Sequence, residues 1–353
     1  MAKVGMTSAQ TKGLLVSAAE ARGWVLCVGA GTSKPVFPDW QGLVAKLILR
    51  DPDRLATTEL NSLRKAYPPD AFIQAALNRL GISEVEFAKI LAFDLYADAK
   101  VALPAAEWKM FLLALNARHV AQLSPAKWRE FLSVIDEYFP NLTAYSLAGT
   151  VAEVLDTATR PAAIISFNAE PLFASLINAC AAVRRGPSRT TDVIDYVTHT
   201  TSNRKRGRIP YEFCHGLLPV PESRRRPALS SVDKLVFSEG AYLQLANNAY
   251  SWQAESFIRA AAHHSIVFIG LSLTDSNIRR WLSWVHALRL KELSETKSAP
   301  ISTIHYWIAK APASDPEKRW TEALVAHLGV RLVWVADYSE IGPMLRRMLS
   351  LEH

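Results

Sequence analysis

The sequence predicts an α/β fold: a doubly wound parallel sheet carrying a large helical insertion. Three observations lead there. Short apolar runs of strand length recur at 24–28, 162–167, 193–197, 211–214, 235–237, 266–269, 304–308 and 332–335, and several are apolar throughout rather than alternating. Such runs belong to strands covered on both faces, as in a parallel sheet between helical layers. The first two are separated by more than a hundred residues of helical periodicity, and from the second onward strand and helix alternate to the end.

In chain order, the first run, WVLCV, is followed by GAGTSKPVFPDW and then by Leu43, Val44, Leu47 and Ile48, whose i, i+4 spacing makes one face of a helix. Phe72, Ile73, Ala76, Leu77 and Leu80 line another. Ser83 with Glu86 has the spacing of a capping box opening a helix that carries Phe87, Ile90, Leu91 and Phe93. Ser124-Pro125 starts a further helix, with Trp128, Phe131, Leu132 and Ile135 inward. The closing VRLVWVADYSEIGPMLRRML reads as a strand and an amphipathic helix. The expected organisation is a Rossmann-like sheet domain from 1–45 and 160–353, with 46–159 as a helical insertion and candidate assembly module.

Half the residues are hydrophobic and ten are tryptophan, which supplies a large core and excludes global disorder. The net charge is +7 and the pI near 9.3, with basic residues concentrated at 184–189, 204–208 and 224–226. Solvated loops, phosphate, nucleic acid or an acidic partner would each account for those runs. Three scattered cysteines, Cys27, Cys180 and Cys214, form neither a disulfide framework nor a Cys-rich zinc site, which suits a reducing cytoplasm. The first residues, MAKVGMTSAQTKGLL, do not read as a signal peptide, and no stretch reads as a membrane span.

Ligands on doubly wound sheets bind beyond the carboxyl ends of the strands. After 24–28 come Gly29, Ala30, Gly31, Thr32 and Ser33, small residues whose successive N–H groups are expected to face phosphate oxygens, and then the elbow Phe37, Pro38, Asp39, Trp40. The full G-x-G-x-x-G pattern is absent, since position 34 is lysine. Asn168, after 162–167, is a turn residue, a helix cap or an amide for a ribose hydroxyl or water. His215 follows 211–214 and is either structural or a general base. Gly270 and Ser272 follow 266–269, with Asp275 or Ser276 placed to cap the next helix and Asn277 just beyond.

In that order, GAGTS with FPDW, SFNAE, CHG and GLSLTDSNIR resemble the successive NAD-binding segments of the sirtuin family. The closer resemblance is to its bacterial, zinc-less branch found in antiviral defence systems. It covers about 20–45 and 160–340. The resemblance implies that Gly29, Ala30, Gly31, Thr32 and Ser33, with Phe37, Trp40 and Asn277, bind NAD+; that Asn168 and His215 are catalytic, with Asp39 shaping the nicotinamide end; and that Gly270 and Ser272 contact the adenosine side. The branch usually shows Asn-Tyr-Asp where this chain has Asn168-Ala169-Glu170.

The implied reaction is hydrolysis of the ribose–nicotinamide bond, through a sugar that gains positive charge as a neutral base departs. Positioning supplies much of such a rate, with Asn168 orienting ribose and water and His215 accepting a proton. The implied setting is anti-phage defence, with NAD+ as substrate, no zinc and no membrane. Control would come through a homo-oligomer or a partner such as a HerA-type DNA-translocating ATPase or an Argonaute-type sensor. A protein deacylase and a non-catalytic NAD-binding subunit are the alternatives; deacylating sirtuins carry a four-cysteine zinc module that three cysteines cannot build.

Overall fold

The first apolar run becomes the middle strand of the sheet. The computed structural model describes residues 6, 8–50, 56–186, 191–222, 235–248, 251–296 and 304–351. Helices α1 (Ser8–Thr11) and α2 (Leu14–Ala21) precede β1 (Trp24–Val28), whose five residues are all buried. Among the described residues seven helices then intervene: α3 (Trp40–Ile48), α4 (Thr57–Ala66), α5 (Pro69–Leu80), α6 (Glu84–Ala102), α7 (Ala105–Asn116), α8 (Pro125–Tyr138) and α9 (Thr143–Val154). The expected capping box opens α6: Ser83 Oγ accepts from the Glu86 amide at 3.3 Å and Glu86 Oε2 accepts from the Ser83 amide at 3.0 Å. Pro125 opens α8 with Ser124 as its cap. Phe93, expected on the inner face of α6, is instead 64% exposed and lies beneath the Arg50 guanidinium, 5.3 Å from the ring centre.

The alternating half follows as β2 (Ala163–Ser166), α10 (Leu172–Arg185), β3 (Ile194–Val197), β4 (Ile209–Phe213), α11 (Glu239–Asn247), α12 (Trp252–His263), β5 (Ser265–Ile269), α13 (Ser276–Glu295), β6 (His305–Lys310), α14 (Asp315–Ala326), β7 (Val330–Val335) and α15 (Ile341–Met348). One parallel sheet holds all seven strands in the order β3-β4-β2-β1-β5-β6-β7. The run at 235–237 is not a strand. Its Val236 amide donates to the His215 carbonyl at 3.2 Å, and Phe237 packs on Trp40, so its apolar residues cover a loop instead of joining the sheet.

Alternation along β1 shows why the sheet is apolar on both sides. Trp24, Leu26 and Val28 enter one core, shared with α3 and with α5 to α10, while Val25 and Cys27 enter the other, beneath α12 and α13. The helical segment therefore shares a continuous core with one face of the sheet. Register sets the functional end: Val28 is level with Ser166 and with Ile269, and Ser166 with Phe213. Loops leaving β1, β2, β4 and β5 thus emerge side by side, and the chain changes direction of winding between β1 and β5.

Candidate functional site

The glycines after β1 and β5 are explained first by each other. Gly270 has φ of +69°, and a Cβ there would lie 2.6 Å from the Thr32 nitrogen and 2.9 Å from the Gly29 carbonyl oxygen. A Cβ on Gly29 would meet the Gly270 oxygen at 2.8 Å. The amides of this turn are committed as well: Gly29 N–H donates to Ile269 O, Gly31 N–H to Gly270 O, Thr32 N–H to Gly29 O and Ser33 N–H to Ala30 O, at 3.0–3.2 Å. Four of the five amides from Gly29 to Ser33 are therefore used within a short 3-10 turn docked on the β5 loop, while Ala30 and Ser33 border the cleft described next. Gly270→Ala combines left-handed strain with a backbone clash, and is expected to cost about 1–3 kcal/mol, read as a lowered thermal midpoint. An unchanged midpoint would contradict this packing.

The chemistry-bearing groups gather one loop away. Ser33 Oγ donates to Glu170 Oε1 at 2.6 Å, and the Asn168 Nδ2 group donates to Ser33 Oγ at 3.1 Å, Glu170 Oε1 at 3.2 Å and, more distantly, Thr32 Oγ1 at 3.4 Å. Glu170 Oε2 accepts from the Leu172 amide at the start of α10. The carboxylate fixes the amide's orientation, since it draws the NH2 group toward itself. Asn168 Oδ1 is left buried and without a partner. A buried acceptor in that condition costs about 1–3 kcal/mol unless a hydroxyl or water reaches it. Burial pushes the Glu170 carboxyl above its ordinary range, opposed by the bonds from Ser33, Leu172 and Asn168.

These groups line a cleft with about 430 Å³ of space unoccupied by atoms. Ala30, Phe37, Trp40, Phe167 and Phe237 add mostly apolar and aromatic walls. Asp39 stands at its edge as the N-cap of α3, accepting from the Gly42 amide at 2.9 Å and paired with Lys34. Partial burial would lift its carboxyl, but Lys34, the Gly42 amide and Arg64 hold it below the usual carboxylate range.

His215 is not among the cleft-lining residues; it packs against three that are. Its ring centre is 4.9 Å from Phe167, 6.2 Å from Phe237 and 6.5 Å from Trp40, and only 8% of the residue is exposed. Nε2 lies 3.2 Å from the Tyr242 hydroxyl, which donates to Asp275 Oδ2 at 3.0 Å. Burial lowers the proton affinity of the imidazole, partly offset by Asp275 and by a hydrogen bond to the Phe167 backbone. Residues 181–332, which carry His215, Tyr242 and Asp275, match one known family.

The match is to the model of the SIR2-like domain and covers less than half of the chain.

SIR2-like domains use NAD+, and the match fits NAD-related activity in general. The matched residues begin after Asn168, so the loop at 29–33 and the Asn168 network lie outside them. No curated protein matches the chain.

Within the SIR2-like span, Ser272 is exposed and bonded to Thr274, while Asn277 is buried, its Nδ2 3.5 Å from the Tyr242 carbonyl oxygen. Neither borders the cleft. Of the basic runs, Arg204 pairs with Glu212 at 3.0 Å and Arg208 with Asp192 and Asp195, so these two bind carboxylates of the protein itself. Arg185 pairs with Asp156, and Arg184 lies 3.9 Å from Glu153. Residues 187–189 and 224–226 lie outside the described residues. Among the described residues, no group of three or more His, Cys, Asp or Glu side chains is arranged to hold a metal, and no helix is long and apolar enough to cross a membrane.

Sequence reasoning missed Glu170 as a site residue, and Tyr242 altogether. Glu170 was visible as a carboxylate two residues after Asn168. Tyr242 carried no signal, because it lies inside α11 and meets His215 only across 27 residues of chain.

Proposed function

We propose that the protein is an NAD+ glycohydrolase that cleaves the ribose–nicotinamide bond, acting in bacterial anti-phage defence under the control of a partner or of self-assembly. The observation that carries this reading is the unpartnered Asn168 Oδ1, buried at an aromatic cleft and held by Ser33 and Glu170. An orphaned acceptor of this kind suits a ribose hydroxyl or the attacking water, and the rings of Phe37, Trp40, Phe167 and Phe237 suit a flat nicotinamide.

In the proposed reaction, water adds to the sugar carbon as the bond to nicotinamide breaks, and the bond's electron pair leaves with the neutral base. The proton from water goes to His215. Little acid assistance is needed, so orientation by Asn168 and exclusion of bulk water by the aromatic wall supply the main advantage. Asp39, tied to Lys34 and the start of α3, holds the outer edge of the cleft. The helical segment 46–159 is the proposed assembly module.

The test is NAD+ consumption by the purified chain, alone and with the product of its genomic neighbour, with and without an acyl-lysine peptide. Free ADP-ribose and nicotinamide in equal amounts are expected without peptide. His215→Ala should lower that turnover by about 10²- to 10⁴-fold, the usual range for a general base, while dinucleotide affinity is largely kept. Acyl transfer to ADP-ribose, or no consumption under any condition, would overturn the reading.

A further inference from the structure

The surroundings of His215 contain more chemistry than a single base requires. Asp275 is the N-cap of α13, where Oδ1 accepts from the amides of Asn277 and Ile278 at 2.9 and 3.0 Å. Its other oxygen accepts from the Tyr242 hydroxyl, and the phenol oxygen in turn faces His215 Nε2. The imidazole's remaining hydrogen bond goes to the Phe167 backbone. Both ring nitrogens therefore face protein atoms.

A phenol has one proton, a carboxylate only accepts, and a neutral imidazole whose hydrogen is directed at a carbonyl has an accepting nitrogen at the other position. Tyr242 can then satisfy Asp275 or Nε2, but not both. One proton added at Nε2 completes the line, with Nε2–H donating to the phenol oxygen and the phenol O–H donating to Asp275.

We propose that Tyr242 and Asp275 are positioning residues that hold the proton taken up by His215, with the phenol bridging the imidazolium to the carboxylate anchored at the start of α13. The proposal rests on the hydrolase reading for its use and on geometry for its existence. When water adds to the sugar, its O–H bond breaks and the proton is released in the cleft; the line takes up one proton at Nε2, the nitrogen that faces the phenol. The line is then fully bonded, and the proton returns to solvent as products leave.

The other groups around it have the same bias. Asp70 on α5 acts on Tyr242, and Glu239 on α11 acts on Asp70. Cys27 on β1 borders Asp275, and Trp40, Phe167 and Phe237 bring no charge to the ring. Anionic neighbours favour a protonated imidazole, against the burial that disfavours it.

The experiment is a titration of the free protein labelled with ¹⁵N-histidine, with His215 assigned from His215→Gln. Tyr242→Phe keeps the ring and removes the bridge; Asp275→Asn removes the charge and keeps a side chain that caps helices well. In both, the His215 midpoint is expected to fall relative to the unsubstituted protein. NAD+ turnover should fall by less than the roughly 10²-fold at which removal of a general base begins. The acid limb of its pH profile should move down with the NMR midpoint, a shift that simple loosening of α11 would not produce. An unchanged midpoint in a folded Tyr242→Phe protein overturns the proposal. Should that variant unfold, an unchanged midpoint in Asp275→Asn does the same. Shifted midpoints in a protein that never consumes NAD+ would overturn the hydrolase reading and leave the proton-holding line standing.

Discussion

Asn168→Ala is expected to lower NAD+ hydrolysis at least about 10²-fold, as losses of a preorganised polar group at a reacting centre do, with the protein still folded. The structure separates these two effects. Oδ1, the atom assigned to ribose or water, contributes no hydrogen bond within the protein, so its loss removes function without removing a contact. The Nδ2 bonds to Ser33 and Glu170 are lost, but Ser33 continues to donate to Glu170, and Leu172 still closes the other carboxylate oxygen. A net cost of about 1 kcal/mol is expected, a shift of a few degrees in midpoint. Turnover and calorimetric NAD+ binding measured on the same preparation check it, and full activity in the variant would remove Asn168 from the site.

The second large effect is loss of stability in acid, centred on His305. This residue begins β6, is 3% exposed, and accepts the Ile266 amide hydrogen at Nδ1, 3.1 Å away. Burial, with Arg289, His286 and Arg22 nearby, pushes its pKa down to about 3. In the unfolded chain a histidine titrates near 6.5, so the folded state is the poorer proton binder. Its contribution to stability is therefore complete above about pH 6.5 and is lost as pH falls toward 3. Between pH 7 and 5 the loss is about 2 kcal/mol. Urea unfolding at the two pH values should show it, and His305→Gln, which keeps an acceptor and removes the titration, should reduce the difference by that amount. Equal pH dependence in both proteins would show that His305 is not the source.

Much of the architecture is legible in the sequence. Apolar runs without alternation specify strands covered on both faces, and seven of the eight are strands of one parallel sheet. The caps at Ser83 and Ser124 were legible because capping is a local exchange between a side chain and amides three residues on. The run at 235–237 misled because three buried apolar residues look the same whether they join a sheet or cover a loop. Phe93 misled because periodicity identifies a face but not how far a neighbouring helix reaches along it.

The candidate site divides in the same way. The sequence by itself determined that small residues, an amide and an imidazole follow successive strands, since strand ends and turn residues are local properties. Tertiary structure alone decided what those residues touch. Level register of β1, β2, β4 and β5 brought their loops together, and close approach of the β1 and β5 loops turned Gly29 and Gly270 into packing residues, with the Gly31 amide bonded to the Gly270 carbonyl. It also set Glu170 against Ser33 and brought Tyr242 and Asp275 behind His215, pairings that span 137, 27 and 33 positions in the chain. The physical reason is range: propensity and capping act within a few residues, whereas proton affinity and hydrogen-bond satisfaction at a buried site depend on whichever distant groups the packed chain delivers there.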